Sequence, residues 1–147
     1  MTKYIVTVNT DGTRGWYNEN NQLHRTDGPA VEYADGTKFW HLHDKLHRTD
    51  GPAAEWSDGS KSWYLNGKLH RTDGPAIEYA DGTKHWYLNN QLHRANGPAV
   101  ERADGTKEWY LNDVKLTESE FLAKTKKASC EGKMVEIDGV KYKLVKA

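Results

Sequence analysis

The sequence predicts an all-β protein, an elongated single-sheet array of stacked 23-residue β-hairpin repeats that ends in a short C-terminal helix and a capping hairpin. Three observations predict it. The octapeptide LHRTDGPA occupies 23–30, 46–53 and 69–76 and returns as LHRANGPA at 92–99. Trp40, Trp63, Trp86 and Trp109 are spaced by one constant period, and so are Gly28, Gly51, Gly74 and Gly97, and Glu32, Glu55, Glu78 and Glu101. Such a period marks supersecondary units that bury a face only when neighbours stack on it. Lastly, six Trp and eight Tyr against two Phe suit a thin structure, in which a large ring has one apolar and one wet side.

The elements follow in chain order. YIVTV at 4–8 alternates weakly and predicts a strand covering the first edge. The first unit is irregular: Trp16 precedes Trp40 by one residue more than the period, and the extra residue falls in YNENNQ at 17–22, where a turn absorbs it. Within a unit, PAVEYA (29–34) places Val31 and Tyr33 on one face and Ala30, Glu32 and Ala34 on the other. Asp35-Gly36 then supplies a tight turn. TKFWHL (37–42) alternates again, with Trp40 and Leu42 on one face, and PAAEWSDGSKSWYL and PAIEYADGTKHWYL keep the pattern. A second turn at Asn66-Gly67, replaced by His43-Asp44 and Asn89-Asn90 in sister units, tolerates left-handed backbone. Two strands per unit are therefore expected.

The octapeptide sits between the second strand of one unit and the first of the next, where the chain reverses. Gly28 is read as the residue that adopts backbone angles denied to others, Pro29 as a strand start without an N–H, and Asp27 as an acceptor for nearby backbone N–H groups. Beyond the array, Thr117 and Glu120 form a capping box ahead of a short helix carrying Phe121 and Leu122. A hairpin around Asp138-Gly139, with Val135, Ile137 and Tyr142 for packing, then closes the chain. The array spans 1–116 and the helix-plus-hairpin cap 117–147, since an open sheet end needs covering.

Bulk properties limit the function classes. The 147 residues fit one domain, and 21 basic against 21 acidic residues leave no overall field to recruit nucleic acid or an anionic membrane. The lone Cys130 forms no internal disulfide and fits a reducing compartment, and the apolar run near the N-terminus is too short for a signal peptide or a membrane span. A cytoplasmic protein is expected.

The recurring polar residues are the candidates for chemistry. His24, His47, His70 and His93 would stand about 10 Å apart, two strand spacings, whereas ligands of one zinc lie about 2 Å from the metal. His41 and His43 share a face, but no carboxylate pattern completes a site. No metal or other cofactor is expected. Four near-identical copies of His, Arg and Asp also argue against an enzyme, which needs one asymmetric constellation in a water-excluding pocket. Glu32 and its sisters pair instead with Arg25, Arg48, Arg71 and Arg94, or with Lys38-type residues across the hairpin. A nucleic-acid polymer is disfavoured by zero net charge and the acidic ladders, while a small nucleotide gripped by Arg and aromatic side chains stands as an alternative.

Protein binding is the favoured reading, because a rigid sheet displaying aromatic and Arg side chains offers the anchors enriched at binding hot spots. The expected contacts are Trp40, His41, Trp56, Trp63, Tyr64, Trp86, Tyr87, Trp109 and Tyr110, with Arg25, Arg48, Arg71 and Arg94 as polar partners. Trp56 replaces Tyr33, Arg102 replaces Tyr79, His41 replaces Tyr64 and Phe39 replaces Ser62, so a near-symmetric frame carries an asymmetric set of side chains. Homodimerisation and a scaffolding role are the remaining alternatives.

The unit WYLNGKLHRTDGPAIEYADGTKHW resembles the MORN repeat, a hairpin unit whose pattern runs aromatic, Asn-Gly-Lys, His-Gly, Gly and Asp-Gly. Tyr64, Asn66, Gly67, Lys68, His70, Gly74, Asp81 and Gly82 fall at the matching places, and the resemblance covers about residues 11–116. It departs at HRTDGPA, where Arg71, Thr72 and Asp73 precede the glycine, and this departure removes the basis for carrying over lipid binding. The variant resembles repeats of tailed-phage proteins and of bacterial antitoxin-like relatives. That likeness implies a slightly twisted, elongated sheet used for binding or scaffolding. It further implies a phage-encoded protein that occludes a host factor, such as one of bacterial defence.

Overall fold

The computed structural model describes residues 4–128, 134–137 and 140–143. An edge hairpin of β1 (Ile5–Val8) and β2 (Arg14–Tyr17) opens an antiparallel array. Each of the next three units contributes four two-residue strands, first β3 (Val31–Glu32), β4 (Lys38–Phe39), β5 (His41–Leu42) and β6 (Lys45–Leu46). The second unit repeats them as β7 (Ala54–Glu55), β8 (Lys61–Ser62), β9 (Tyr64–Leu65) and β10 (Lys68–Leu69). The third does so as β11 (Ile77–Glu78), β12 (Lys84–His85), β13 (Tyr87–Leu88) and β14 (Gln91–Leu92). The last unit has β15 (Val100–Glu101), a continuous β16 (Lys107–Leu111) and β17 (Val114–Leu116). The edge hairpin, the first two strands of each four-strand unit and all three strands of the last unit join one 11-stranded sheet, and the last two strands of each four-strand unit form a small hairpin beside it. The all-β hairpin array is thus as expected.

One expectation is corrected: 37–42 is not one strand. The ladder breaks at the tryptophan, because Trp40 N–H donates to the Ala53 carbonyl (2.8 Å) while the Trp40 carbonyl accepts from His47 N–H (3.0 Å). Trp16, Trp63 and Trp86 donate in the same way to Ala30, Ala76 and Ala99. Those four alanines are fully buried, since a larger side chain would hold successive units apart. Trp16 stays within β2, which β1 pairs along its other edge, and Trp109 has no following unit, so the strand breaks only at Trp40, Trp63 and Trp86.

The two turns per unit obey different rules. At His43-Asp44, Asn66-Gly67, Asn89-Asn90 and Asn112-Asp113 both central residues have positive φ, the requirement of a type I′ hairpin. At Asp35-Gly36 only Gly36 does (φ 93°), and Asp35 Oδ1 instead accepts from Thr37 N–H at 2.8 Å. Consecutive small hairpins are then stitched together: Asp44, Gly67, Asn90 and Asp113 N–H groups donate to the carbonyls of Leu23, Leu46, Leu69 and Leu92 at 2.8–3.0 Å.

Register gives the main sheet two unlike faces. Arg14, Glu32, Lys38, Glu55, Lys61, Glu78, Lys84, Glu101 and Lys107 are successive cross-strand partners, so charge alternates in sign at every step. Each opposed pair contributes about 0.2–1 kcal/mol. The opposite face carries the row Gly15, Val31, Phe39, Ala54, Ser62, Ile77, His85, Val100 and Glu108.

At the C-terminal end, helix α1 (Glu118–Ala128) packs on β16 and β17, burying Phe121 and Leu116. The capping box forms as expected: Thr117 N–H donates to Glu120 Oε2 (2.8 Å) and Glu120 N–H to Thr117 Oγ1 (3.3 Å). Thr117→Ala is expected to lower stability by about 1 kcal/mol, measured by urea unfolding. Met134–Ile137 and Val140–Lys143 pair as an antiparallel hairpin. The expected Asp138-Gly139 turn and Cys130 lie outside the described residues, as do the side chains of Val135, Ile137 and Tyr142. Among the described residues no helix is long and apolar enough to cross a membrane.

Candidate functional site

The octapeptide builds an arginine clamp. Arg71 lies over the Trp63 ring, with Cζ 4.0 Å from the ring centroid. Its Nε donates to Asp73 Oδ1 (2.9 Å), and its Nη1 donates to the Pro75 carbonyl (3.2 Å) and to Glu78 Oε1 (3.0 Å). Arg25, Arg48 and Arg94 repeat this arrangement over Trp16, Trp40 and Trp86. The Glu32-series pairing read from the sequence is present, at 3.6, 3.2, 3.0 and 2.7 Å along the array. Asp27, Asp50 and Asp73 bond the arginine rather than backbone N–H groups, which corrects that expectation.

The glycines of the clamp are corrected as well. Gly28, Gly51, Gly74 and Gly97 do not have positive φ. A Cβ at Gly74 would stand 2.8 Å from Arg71 Cζ, and the other three are similarly crowded at 2.8–3.0 Å. Space for the guanidinium, not a special backbone angle, is what these positions require.

The histidine ladder links neighbours. His47 Nδ1 accepts the Asn66 N–H at 3.1 Å, and His24, His70 and His93 accept from His43, Asn89 and Asn112 at 3.2–3.3 Å. The same Nδ1 atoms of His47, His70 and His93 lie 2.9, 3.0 and 2.7 Å from the side-chain oxygens of Asn66, Asn89 and Asn112, so each of these rings meets both the backbone and the side chain of the next turn.

Trp40, Trp63 and Trp86 therefore stand on the charged face together with Arg25, Arg48, Arg71 and Arg94. Trp109 shares their register but begins no further clamp. His41, Trp56, Tyr64, Tyr87 and Tyr110 stand on the other face. That face forms an aromatic surface which also includes Tyr33, Phe39, Tyr79 and His85, four residues absent from the expected contacts. Phe39 meets Tyr33 edge-on at 5.5 Å and Trp56 at 5.8 Å, with His41 at 6.4 Å. Tyr79 meets His85 at 5.3 Å, and His85 lies 6.3 Å from Tyr87. Tyr33, Trp56 and Tyr79 are exposed. The signal for these residues was parity: two-residue steps from Val31, Ala54 and Ile77 reach Tyr33, Trp56 and Tyr79.

Charge replaces rings at the C-terminal end of this face. Glu108 accepts from Arg102 Nη1 (2.6 Å) and the Tyr110 hydroxyl (2.8 Å) and pairs with Lys115 Nζ at 3.3 Å. The Arg102 and Tyr110 bonds lead the effects that pull its carboxyl down to about 2. Burial pushes the Tyr64 and Tyr87 hydroxyls up, with Tyr79 adding to both.

Three histidines of the array have depressed pKa values. Burial is the first cause for His24, His41 and His85, joined at His24 by the His43 ring and at His85 by Arg102. His41 Nδ1 is buried with no hydrogen-bond partner. A depressed histidine leaves the unfolded chain to take up the proton first, so stability falls as pH drops through the unfolded value of about 6.5. The melting temperature is expected to be lower at pH 5.5 than at pH 7.5. His41→Tyr, the residue of the sister units, is expected to shrink that difference and to raise the pH 7.5 value by about 3 °C.

No protein-family model matches the chain, and a search of curated proteins finds no significant match.

Proposed function

We propose that this MORN-like array is a non-enzymatic binding protein that occludes a host protein through its aromatic face. One observation carries the reading: within the main sheet, the largest side-chain exchanges between units fall on that face. The positions of Tyr33, Trp56, Tyr79 and Arg102 vary, as do those of Phe39, Ser62, His85 and Glu108, and of His41 and Tyr64. Across the sheet, the Trp, Arg, Glu and Lys positions repeat without change. Rigid rings grading from Phe39 and Trp56 toward the Arg102–Glu108 pair give a surface with direction, suited to one asymmetric partner. A phage origin, a defence factor as target and action in the host cytoplasm rest on the resemblance alone.

The aromatic face favours this reading over a nucleotide sponge, whose phosphate would need the clamp arginines, and these are engaged by Asp, Glu and proline carbonyls. Capture from a bacterial lysate is the test. The native chain is expected to retain one stoichiometric protein. A Phe39→Ser/Trp56→Tyr variant, built from residues of sister units, should lose it while melting as a folded array. Retention by the variant, or a bound nucleotide in place of a protein, overturns the reading.

A further inference from the structure

We propose a second binding site on the charged face, where three equivalent grooves form a ruler for a polyproline-II peptide carrying a basic residue at every third position. This site is independent of the aromatic face. The grooves have volumes of about 480, 550 and 540 Å³ and are generated by the clamp repeat. The middle one is lined by Trp63, Leu65 and His70, with Asp50 and Asp73 from the two flanking octapeptides.

Spacing selects the ligand. Each groove advances by two sheet strands, about 9.5 Å. A ligand serving all three must present the same side at that interval. A β-strand does so about every 6.7 Å, and its third residue, at about 10 Å, points the opposite way. Two turns of α-helix span about 10.8 Å, slipping by more than 1 Å per groove. A polyproline-II helix has three residues per turn and rises about 9.3 Å, and with no internal hydrogen bonds it can follow the twist of the sheet.

Chemistry agrees with the spacing. The backbone carbonyls of such a helix are unpaired acceptors. Among the described residues the indole N–H groups of Trp40, Trp63 and Trp86 have no protein partner, and none is sealed from solvent, since the one buried unpartnered side-chain nitrogen or oxygen there is His41 Nδ1. Together with the leucines they give each groove an apolar floor for proline rings, the mode by which aromatic grooves take proline-rich chains. Charge complementarity sets the third position. The clamp arginines are only 20–24% exposed and are matched by glutamates, whereas Asp27, Asp50 and Asp73 are 68–81% exposed with one oxygen engaged by the arginine. The outward charge of each octapeptide is thus one carboxylate, repeated once per groove, until Asn96 ends the series.

The test is titration of (Pro-Pro-Lys)3 into the full chain, followed by tryptophan fluorescence and calorimetry. Saturable binding is expected, and one alanine inserted between successive triplets should weaken it about tenfold or more by breaking register. Asp50→Asn/Asp73→Asn should weaken the lysine peptide about tenfold and leave (Pro-Pro-Gln)3 unchanged. Asn96 already bonds Arg94 in the fourth unit, so the melting temperature should hold. Equal binding of the inserted peptide would show charge attraction alone and overturn the proposal. So would no saturation at millimolar peptide, or binding of a β-linked oligosaccharide in its place. Phe39→Ser/Trp56→Tyr should leave this titration unaltered whether or not it abolishes protein capture.

Discussion

Arg71→Ala is expected to lower the unfolding free energy by about 3 kcal/mol, read as a lower urea midpoint. An exposed ion pair alone would be worth under about 1 kcal/mol. Arg71 is different because one guanidinium, 21% exposed, does four things. It covers Trp63 at 4.0 Å, bonds Asp73 and Glu78, and satisfies the Pro75 carbonyl. Truncation uncovers the ring and leaves Glu78 and that carbonyl without their donor. Arg71→Lys keeps the charge but has no planar fork to stack and donate in two directions, so most of the loss should remain. Interior units should suffer most, since in a repeat array each interface supports two neighbours.

Gly74→Ala should cost about 2 kcal/mol, and for a reason that a second substitution exposes. The new Cβ would meet Arg71 Cζ at 2.8 Å and Nε and Nη2 at 3.0 Å. The arginine must then leave the contacts just described. In an Arg71→Ala background Gly74→Ala should cost close to nothing, giving a coupling energy of about 2 kcal/mol in a double-mutant cycle. Gly82→Ala is the contrast. At φ 90° with nothing within 4 Å, it should cost about 1 kcal/mol of backbone strain whether Arg71 is present or not. Equal costs for Gly74→Ala in both backgrounds would show that the octapeptide glycine serves the backbone after all.

Period, turns and the capping box were legible because each is written in local spacing: Asn66-Gly67 needs no distant partner to read as a hairpin turn. The Arg–Glu pairing was legible too, since seven residues of reversing chain bring Arg71 back beside Glu78. The strand break at Trp40 was not, because alternation continues through it and the deciding acceptor is the Ala53 carbonyl of the next unit. Nor was the purpose of Gly74, because a glycine before proline reads as a turn residue, and the space it leaves is filled by a side chain three positions earlier. The division of the expected contacts has a simpler cause. Trp40 and His41 are adjacent in an extended chain and point to opposite faces, so contacts chosen by residue type mixed a repeating, clamped face with a varied, aromatic one.

That division is the centre of the functional reading, and side-chain oxidation footprinting of the captured complex tests it directly. Protection is expected at Tyr33, Phe39, Trp56 and Tyr79, with Trp40, Trp63 and Trp86 oxidised as in the free chain. Protection of those three tryptophans with the aromatic face left open would contradict it.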